Sequence, residues 1–204
     1  VIWLMASGNS EATVEISEET YFEIDELSDW IIVEGLLKRN NNCNIYSSAI
    51  ARIKCVLTDN DGVLTDGGMY YSENGDELKK FNTKDGMGFK LLREAGIITG
   101  IITGENIELV RRRAEKMKVD EVYLGIHDKM KILNEVCSKY NLDYEEIAYI
   151  GDDINDLDVI KTVGLGCTVN DGMECVKEVA KVITKAKGGE GAVREVVEII
   201  LKTK

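Results

Sequence analysis

Proline is absent from the 204 residues, histidine occurs once, and no apolar run reaches the length of a membrane span. Without proline there are no X-Pro bonds to give slow isomerisation phases in folding. A transmembrane helix needs about 18 or more consecutive apolar residues, so nothing in this chain is expected to cross a bilayer. The one histidine, His127, neighbours Asp128 and reads as a surface or loop residue. No C-x-x-C pair occurs among the five cysteines (Cys43, Cys55, Cys137, Cys167 and Cys175), and their count is odd. Free thiols in a reducing, cytoplasmic setting are the simplest expectation. Positive charge is scarce too: 25 Lys and Arg stand against 37 Asp and Glu, for a net charge of −12. That balance speaks against nucleic acid and anionic membranes as partners. The opening apolar stretch, Val1 to Ala6, is too short for a signal peptide and has no basic residues before it. An opening on Val rather than Met fits a piece of a longer polypeptide.

The length suffices for one well-buried domain plus an appendage. Residues 1–48 hold nine acidic and two basic residues, which leaves −5 of the −12 on the remainder. A phosphate-bearing ligand would need local cations to overcome that background. Residues 1–40 lack a clear repeating pattern, and Asn40-Asn41-Asn42 reads as a linker. The expected division is a tail plus linker over 1–42 and a folded domain over 49–204.

From Ile53 onward apolar runs alternate with helical patterns. Strands are expected over Ile53–Thr58, Ile97–Ile102, Glu121–Leu124, Ile147–Ile150, Leu165–Val169 and Lys181–Ile183. Helices are expected over Asp85–Ala95, Ile107–Met117, Lys129–Tyr140, Ile154–Val163, Met173–Ala180 and Ala192–Leu201. Asn74-Gly75 between two short β-like runs is a strong hairpin signal. The alternation predicts an α/β, Rossmann-like fold: a parallel sheet with helices on both faces, and a small β-hairpin insertion. Ligands of such sheets bind beyond the carboxyl ends of the strands.

Chemistry-bearing residues gather at those ends. The first strand runs into Asp59-Asn60-Asp61-Gly62, where residues i and i+2 of an extended segment face one way. Gly62 permits a sharp turn that brings backbone N–H groups near a phosphate. Thr103-Gly104-Glu105 follows a second strand. Asp152 and Asp153 follow a third, with Asp156 four residues after Asp152, and Lys129 opens the helix before it. Clustered carboxylates repel one another and call for a hard cation such as Mg²⁺. A metal-bound carboxylate can attack phosphorus and split hydrolysis into two easier steps. The charge spreading over the transferring group is then met by Mg²⁺, Lys129, Thr103 and backbone amides.

Several of these parts also have blander readings. An EF-hand is disfavoured because its fifth and sixth positions would be Val63 and Leu64. Asp152 and Asp153 taken alone would read as helix caps. Arg111-Arg112-Arg113 reads as a mostly solvated face. Gly188-Gly189-Glu190-Gly191 serves equally well as a simple connection or as a functional tail.

Together, D-N-D-G-V-L-T-D-G, T-G-E, D-K and G-D-D-I-N-D resemble the four motifs of the haloacid dehalogenase superfamily. G-V-L-T-D-G-G-M-Y-Y and G-G-E-G-A-V-R-E resemble its small capless phosphatases of 3-deoxy-ulosonate 8- and 9-phosphates. The resemblance implies Asp59 as nucleophile and Mg²⁺ ligand, and Asp61 as acid/base and carbonyl ligand. It further implies Thr103, Gly104 and Lys129 around the phosphate, Asp152 as a further Mg²⁺ ligand, and Asp153 and Asp156 in support. A small phosphorylated sugar acid is the implied partner, and a homotetramer the implied assembly. Residues 22–37 resemble the last segment of acylneuraminate cytidylyltransferases. With Glu105 where the eight-carbon enzymes commonly carry arginine, this points to a nine-carbon substrate such as N-acetylneuraminate 9-phosphate. Arg113 and Lys116 would pair with Glu105 or take the sugar carboxylate. The alternatives are 3-deoxy-manno-octulosonate 8-phosphate as substrate, or a non-catalytic assembly domain.

Overall fold

The computed structural model describes residues 2–4, 12–14, 49–75 and 77–203, and the chain divides into two compact units, Val1–Asn44 and Ile45–Lys204. In the first unit, β1 (Ile2–Leu4) and β2 (Ala12–Val14) pair antiparallel, with Ile2 opposite Val14. These strands were not foreseen, because three-residue segments carry too little periodicity to read. The cytidylyltransferase-like segment at 22–37 lies outside the described residues.

The second unit is built on six parallel strands: β3 (Cys55–Thr58), β6 (Ile98–Ile102), β7 (Glu121–Tyr123), β8 (Ile147–Gly151), β9 (Leu165–Thr168) and β10 (Val182–Ile183). Their order across the sheet is β10-β9-β8-β3-β6-β7. The remaining strands, β4 (Tyr70–Tyr71) and β5 (Glu77–Leu78), form the expected antiparallel hairpin around Asn74-Gly75, and a bridge from Thr65 to Phe81 closes its base. Gly75 supplies the positive φ, +86°, that the turn requires.

Side-chain alternation along the strands divides the interior into two cores. Val56 on β3 and Ala148 and Ile150 on β8 face one core, which they share with Phe89, Leu92, Val110, Ala114, Val193 and Val197. Cys55 and Leu57, with Ile147 and Tyr149, face the other, among Ile132, Leu133, Val136, Val159 and Val176. The first core is therefore covered by α1 (Thr83–Glu94), α2 (Glu108–Met117) and α6 (Ala192–Thr203). The second is covered by α3 (Lys129–Tyr140), α4 (Leu157–Thr162) and the single turn α5 (Glu174–Lys177). This is the expected α/β architecture, a doubly covered parallel sheet with a hairpin in place of a cap domain.

Two expected helices are shorter in the structure. Ile154–Val163 begins as a 3₁₀ turn, Ile154–Asp156, because Asp156 is drawn back onto the chain by backbone amides. Met173–Ala180 shrinks to the four residues of α5, which passes into a turn at Glu178 and Val179. The four described cysteines, Cys55, Cys137, Cys167 and Cys175, are free thiols. Among the described residues no helix is long and apolar enough to cross a membrane.

Chain order places the crevice. From β3 the chain runs outward through β6 to β7, then returns to the other side of β3 for β8, β9 and β10. The carboxyl end of β3 is thus the switch point where such sheets open to ligands.

Candidate active site

Asp59 stands one residue past β3, and its amide continues the sheet by donating 2.9 Å to the Ile150 carbonyl. The chain then turns at once: the Asn60 carbonyl accepts from the amides of Leu64 and Thr65 at 2.9 and 3.0 Å. Gly62 makes that turn, with φ at +84°. A Cβ there would stand 2.0 Å from Asp152 Oδ2, so only glycine lets the β3 loop approach the β8 loop this closely.

Lys129 is the first residue of α3, whose amide end is capped by Asp128 through a 3.0 Å bond from Lys131 N. Its ammonium reaches across the strand ends, 3.1 Å from Asp59 Oδ1 and 2.6 Å from Asp156 Oδ1. The lysine side chain is 1% exposed. Burial pulls its pKa down, but Asp59 and Asp156 more than offset this, so it remains an ammonium.

Asp156 holds the frame rather than offering free oxygens. Its Oδ1 accepts from Lys129 and from the buried Tyr149 hydroxyl at 2.5 Å. Its Oδ2 accepts from the amides of Asp152 and Asp153 at 3.0 and 3.4 Å. Asp153 itself caps the 3₁₀ turn by accepting from Ile154 N at 2.6 Å. Asp152 is different: its Oδ1 is buried and has no partner among the described residues.

The electrostatics follow from this crowding. Oxygens of Asp59, Asp152 and Asp156 lie within 4.8 Å of one another. Burial, with Asp156 adding to it and Lys129 opposing it, pushes the Asp59 carboxyl up to about 7. Burial, then Asp59, Asp156 and Asp153, pushes Asp152 up to about 8. One ammonium does not balance three crowded carboxylates, and an all-oxygen donor set with a free Asp152 oxygen fits Mg²⁺.

Thr103 follows β6 and is buried; its hydroxyl accepts from Glu105 N at 3.3 Å. Gly104, between them, leaves open the space a Cβ would occupy, whose nearest neighbour is the Ile126 carbonyl at 3.7 Å. Asp61 accepts from Thr65 Oγ1 at 3.2 Å and from Lys79 Nζ at 2.5 Å, both on Oδ1, while its Oδ2 is buried without a partner. Lys79 also donates to Glu105 Oε2.

The expected pairing of Glu105 with Arg113 or Lys116 is therefore replaced by Lys79, which arrives from the hairpin. Arg113 instead donates 2.8 Å to the Asn82 carbonyl and lies over the Phe81 ring at 5.4 Å. Lys116 borders a cavity of about 300 Å³ between α1 and α2, along with Lys90, Arg93 and Lys118. Arg111 and Arg112 are exposed, as a solvated face requires.

The late glycine run is no loose tail. Gly189 N donates 3.0 Å to the Val63 carbonyl and Gly188 N donates 2.9 Å to Asp171 Oδ1. A Cβ on Gly188 would stand 1.9 Å from the Gly62 carbonyl oxygen. The segment docks on the Asp59–Thr65 loop of its own chain.

Sequence reasoning missed Lys79, Tyr149 and this glycine strut. Nothing local separates Lys79 from Lys80, and Tyr149 reads simply as one more apolar strand residue. For Gly188 and Gly189 the only signal was the density of glycine itself.

Paired carboxylates on one loop, a buried ammonium and a hard-cation donor set, gathered at the β3 switch point, can support phosphoryl transfer. Residues 121–196 match the haloacid dehalogenase-like hydrolase family. The 3-deoxy-D-manno-octulosonate 8-phosphate phosphatase KdsC of Yersinia pestis is 39% identical over 151 residues, covering 74% of this chain and 81% of that protein. A probable YrbI family phosphatase from Pseudomonas syringae pv. phaseolica superposes with a TM-score of 0.77 at 43% identity, covering 78% of this chain and 91% of that one. The octulosonate 8-phosphate phosphatase of Moraxella catarrhalis, solved with magnesium, phosphate and KDO, gives a TM-score of 0.76 at 39% identity, covering 79% and 92%. The chain belongs to the haloacid dehalogenase-like hydrolases, in the family of KdsC-like 3-deoxy-octulosonate 8-phosphate phosphatases. It is a phosphoric monoester hydrolase, with Mg²⁺ as its cofactor. The comparisons carry no support for a cytidylyltransferase segment ahead of this unit.

Proposed function

We propose that this chain hydrolyses 3-deoxy-D-manno-octulosonate 8-phosphate to the free sugar acid and phosphate, with Asp59 as the nucleophile. The observation that carries the chemistry is the Asp59 carboxylate held 3.1 Å from the Lys129 ammonium at the carboxyl end of β3. The eight-carbon substrate is supported by relatives of that name at 37–39% identity. The nine-carbon expectation rested on Glu105 standing where the eight-carbon enzymes commonly carry arginine and on the resemblance at 22–37; the names of the relatives favour the eight-carbon sugar instead.

In this mechanism an Asp59 oxygen attacks phosphorus as the bond from phosphorus to the sugar oxygen breaks. Asp61 gives its proton to the departing oxygen, which leaves as the sugar hydroxyl. Lys129 and the Thr103 hydroxyl neutralise and hold the transferring oxygens. Asp61, now a carboxylate, takes a proton from water as that water attacks phosphorus, releasing phosphate and restoring Asp59. Asp59, Asp152 and the Asp61 carbonyl would hold Mg²⁺, which would supply the positive charge that the crowded carboxylates lack. Asp156 and Asp153 keep Lys129 and the Asp152 loop in place.

The test is phosphate release from the octulosonate 8-phosphate, from two nine-carbon 9-phosphates and from glucose 6-phosphate, with Mg²⁺ and with chelator. The octulosonate should have the highest kcat/KM, and chelator should abolish turnover. A nine-carbon substrate turned over tenfold better would overturn the substrate assignment and leave the phosphatase class standing. A homotetramer is part of the same proposal. The exposed Tyr70, Tyr71 and Leu78 of the hairpin support it, and light scattering showing a monomer at micromolar concentration would refute it.

A further inference from the structure

Lys79 lies outside every family motif, yet its side chain is 1% exposed, far below the usual exposure of a lysine. It follows β5, and the Thr65–Phe81 bridge two residues later fixes the hairpin base beside the nucleophile loop. Its ammonium lies 2.5 Å from Asp61 Oδ1 and contacts Glu105 Oε2. Thr65 Oγ1 donates to the same Asp61 oxygen at 3.2 Å. The two oxygens of Asp61 are therefore unequal: Oδ1 has two donors, and Oδ2, also buried, has none among the described residues.

We propose that Lys79 is a positioning residue that, anchored by Glu105, turns Asp61 so that Oδ2 is the oxygen carrying the proton to and from the substrate. This rests on the phosphatase reading above. A carboxyl held by one oxygen on a charged donor and a hydroxyl has little freedom to rotate, so its second oxygen keeps one direction. Oδ1 already accepts two hydrogen bonds, which leaves Oδ2 as the oxygen free to face the reacting group. As the bond from phosphorus to the leaving oxygen breaks, the proton passes from Oδ2 to the leaving oxygen. In the second step Oδ2 receives a proton from the attacking water. The arrangement also ties the hairpin to Asp61, so the two move together. Glu105 acts here as the anchor for Lys79 rather than as a direct contact to the sugar.

A role in orienting the acid can be told apart from a role in folding or in sugar binding by varying the leaving group alone. Aryl phosphates of graded phenol basicity lack the sugar acid, and their kcat/KM reports only the steps through breaking of the ester bond. With the unsubstituted protein, log kcat/KM should depend weakly on phenol basicity, since the acid protonates poor leaving groups. With Lys79→Met the dependence should steepen. The loss should be about 100-fold on phenyl phosphate and under about threefold on p-nitrophenyl phosphate, whose leaving oxygen needs no proton. Lys79→Arg, which keeps a cation between the two carboxylates, should retain the shallow slope. Lys79→Gln gives a second neutral side chain should the methionine variant not fold. Parallel slopes in the neutral variants, with equal losses across the series or none, overturn the proposal while leaving the phosphatase intact. Absence of phosphate release by the unsubstituted protein, with Mg²⁺ present, overturns both.

Discussion

Replacing Lys129 by methionine removes the one ammonium that Asp59 and Asp156 share at 3.1 and 2.6 Å, and keeps the bulk of the side chain. At an effective dielectric of about 20, each of these contacts carries roughly 5–6 kcal/mol of attraction. Much of that offsets the cost of burying the charges, so the net loss on removing one partner is about 3–5 kcal/mol. For a folded unit of this size that corresponds to a fall in Tm of about 10 °C. The sign of the pH effect follows from the raised carboxyls, about 7 for Asp59 and about 8 for Asp152, against 3.8 for the same groups unfolded. The folded state holds these protons more tightly, so stability without metal is greatest at low pH and falls as pH rises through 7 to 8. Removing Lys129 deepens that fall. Mg²⁺ should then stabilise the variant more than the parent, because three carboxylates face the site with no internal cation. The assay is thermal unfolding in chelator and across a Mg²⁺ titration at pH 5.5 and pH 8, alongside phosphate release, which should drop about 100-fold or more. A variant melting within about 2 °C of the parent in chelator at pH 8, or gaining no more from Mg²⁺ than the parent does, refutes the charge balance drawn here.

Asp59→Asn should cut phosphate release by about 10³-fold or more, and a protein keeping over a tenth of the parent rate would remove Asp59 from the nucleophile role. Gly62→Ala places a methyl 2.0 Å from Asp152 Oδ2 at a positive φ. Activity should then need at least about tenfold more Mg²⁺ for half-saturation, at a cost of about 1–2 kcal/mol in stability; an unchanged Mg²⁺ requirement counts against Asp152 as a ligand. Asp85 is buried between α1 and α6, where burial lifts its carboxyl to about 6 although Arg194 N donates to it at 2.9 Å. Its folded pKa exceeds the unfolded 3.8, so its contribution to stability is lost as pH rises from about 4 to about 6. Asp85→Asn keeps the acceptor and should raise stability at pH 8 by about 1–2 kcal/mol while flattening the melting curve's pH dependence over that window; a lower Tm at pH 8 refutes it.

The residues at the strand exits were legible because fold and chemistry share one pattern. Alternating β and α runs imply a parallel sheet, and the carboxyl ends of that sheet gather Asp59, Asp61, Thr103, Asp152 and the helix-opening Lys129 without any knowledge of contacts. Contacts bridging distant parts of the chain were not legible. Lys79 and Glu105 are 26 residues apart, and which cation neutralises Glu105 depends on where a hairpin lies. Charge at the site mouth was therefore misread from the motif alone. Tyr149 shows the same limit: strand periodicity correctly turned it inward, but its hydroxyl bond to Asp156 depends on the 3₁₀ turn that brings that carboxylate back. Helix ends failed where side chains compete for backbone amides, as Asp153 and Asp156 do at the start of α4.

The docking of Gly188 and Gly189 on the nucleophile loop bears on how the enzyme is made. Val63 and its partner Gly189 are separated by more than half the chain. On a ribosome, the strand that carries Asp59 emerges long before the segment that braces the loop beside it. Until Gly189 clears the exit tunnel, the Val63 carbonyl lacks its partner and Gly62 has no surface holding it against the Asp152 loop. The catalytic loop is completed only when α6, which begins three residues after Gly189, is free to pack against α1.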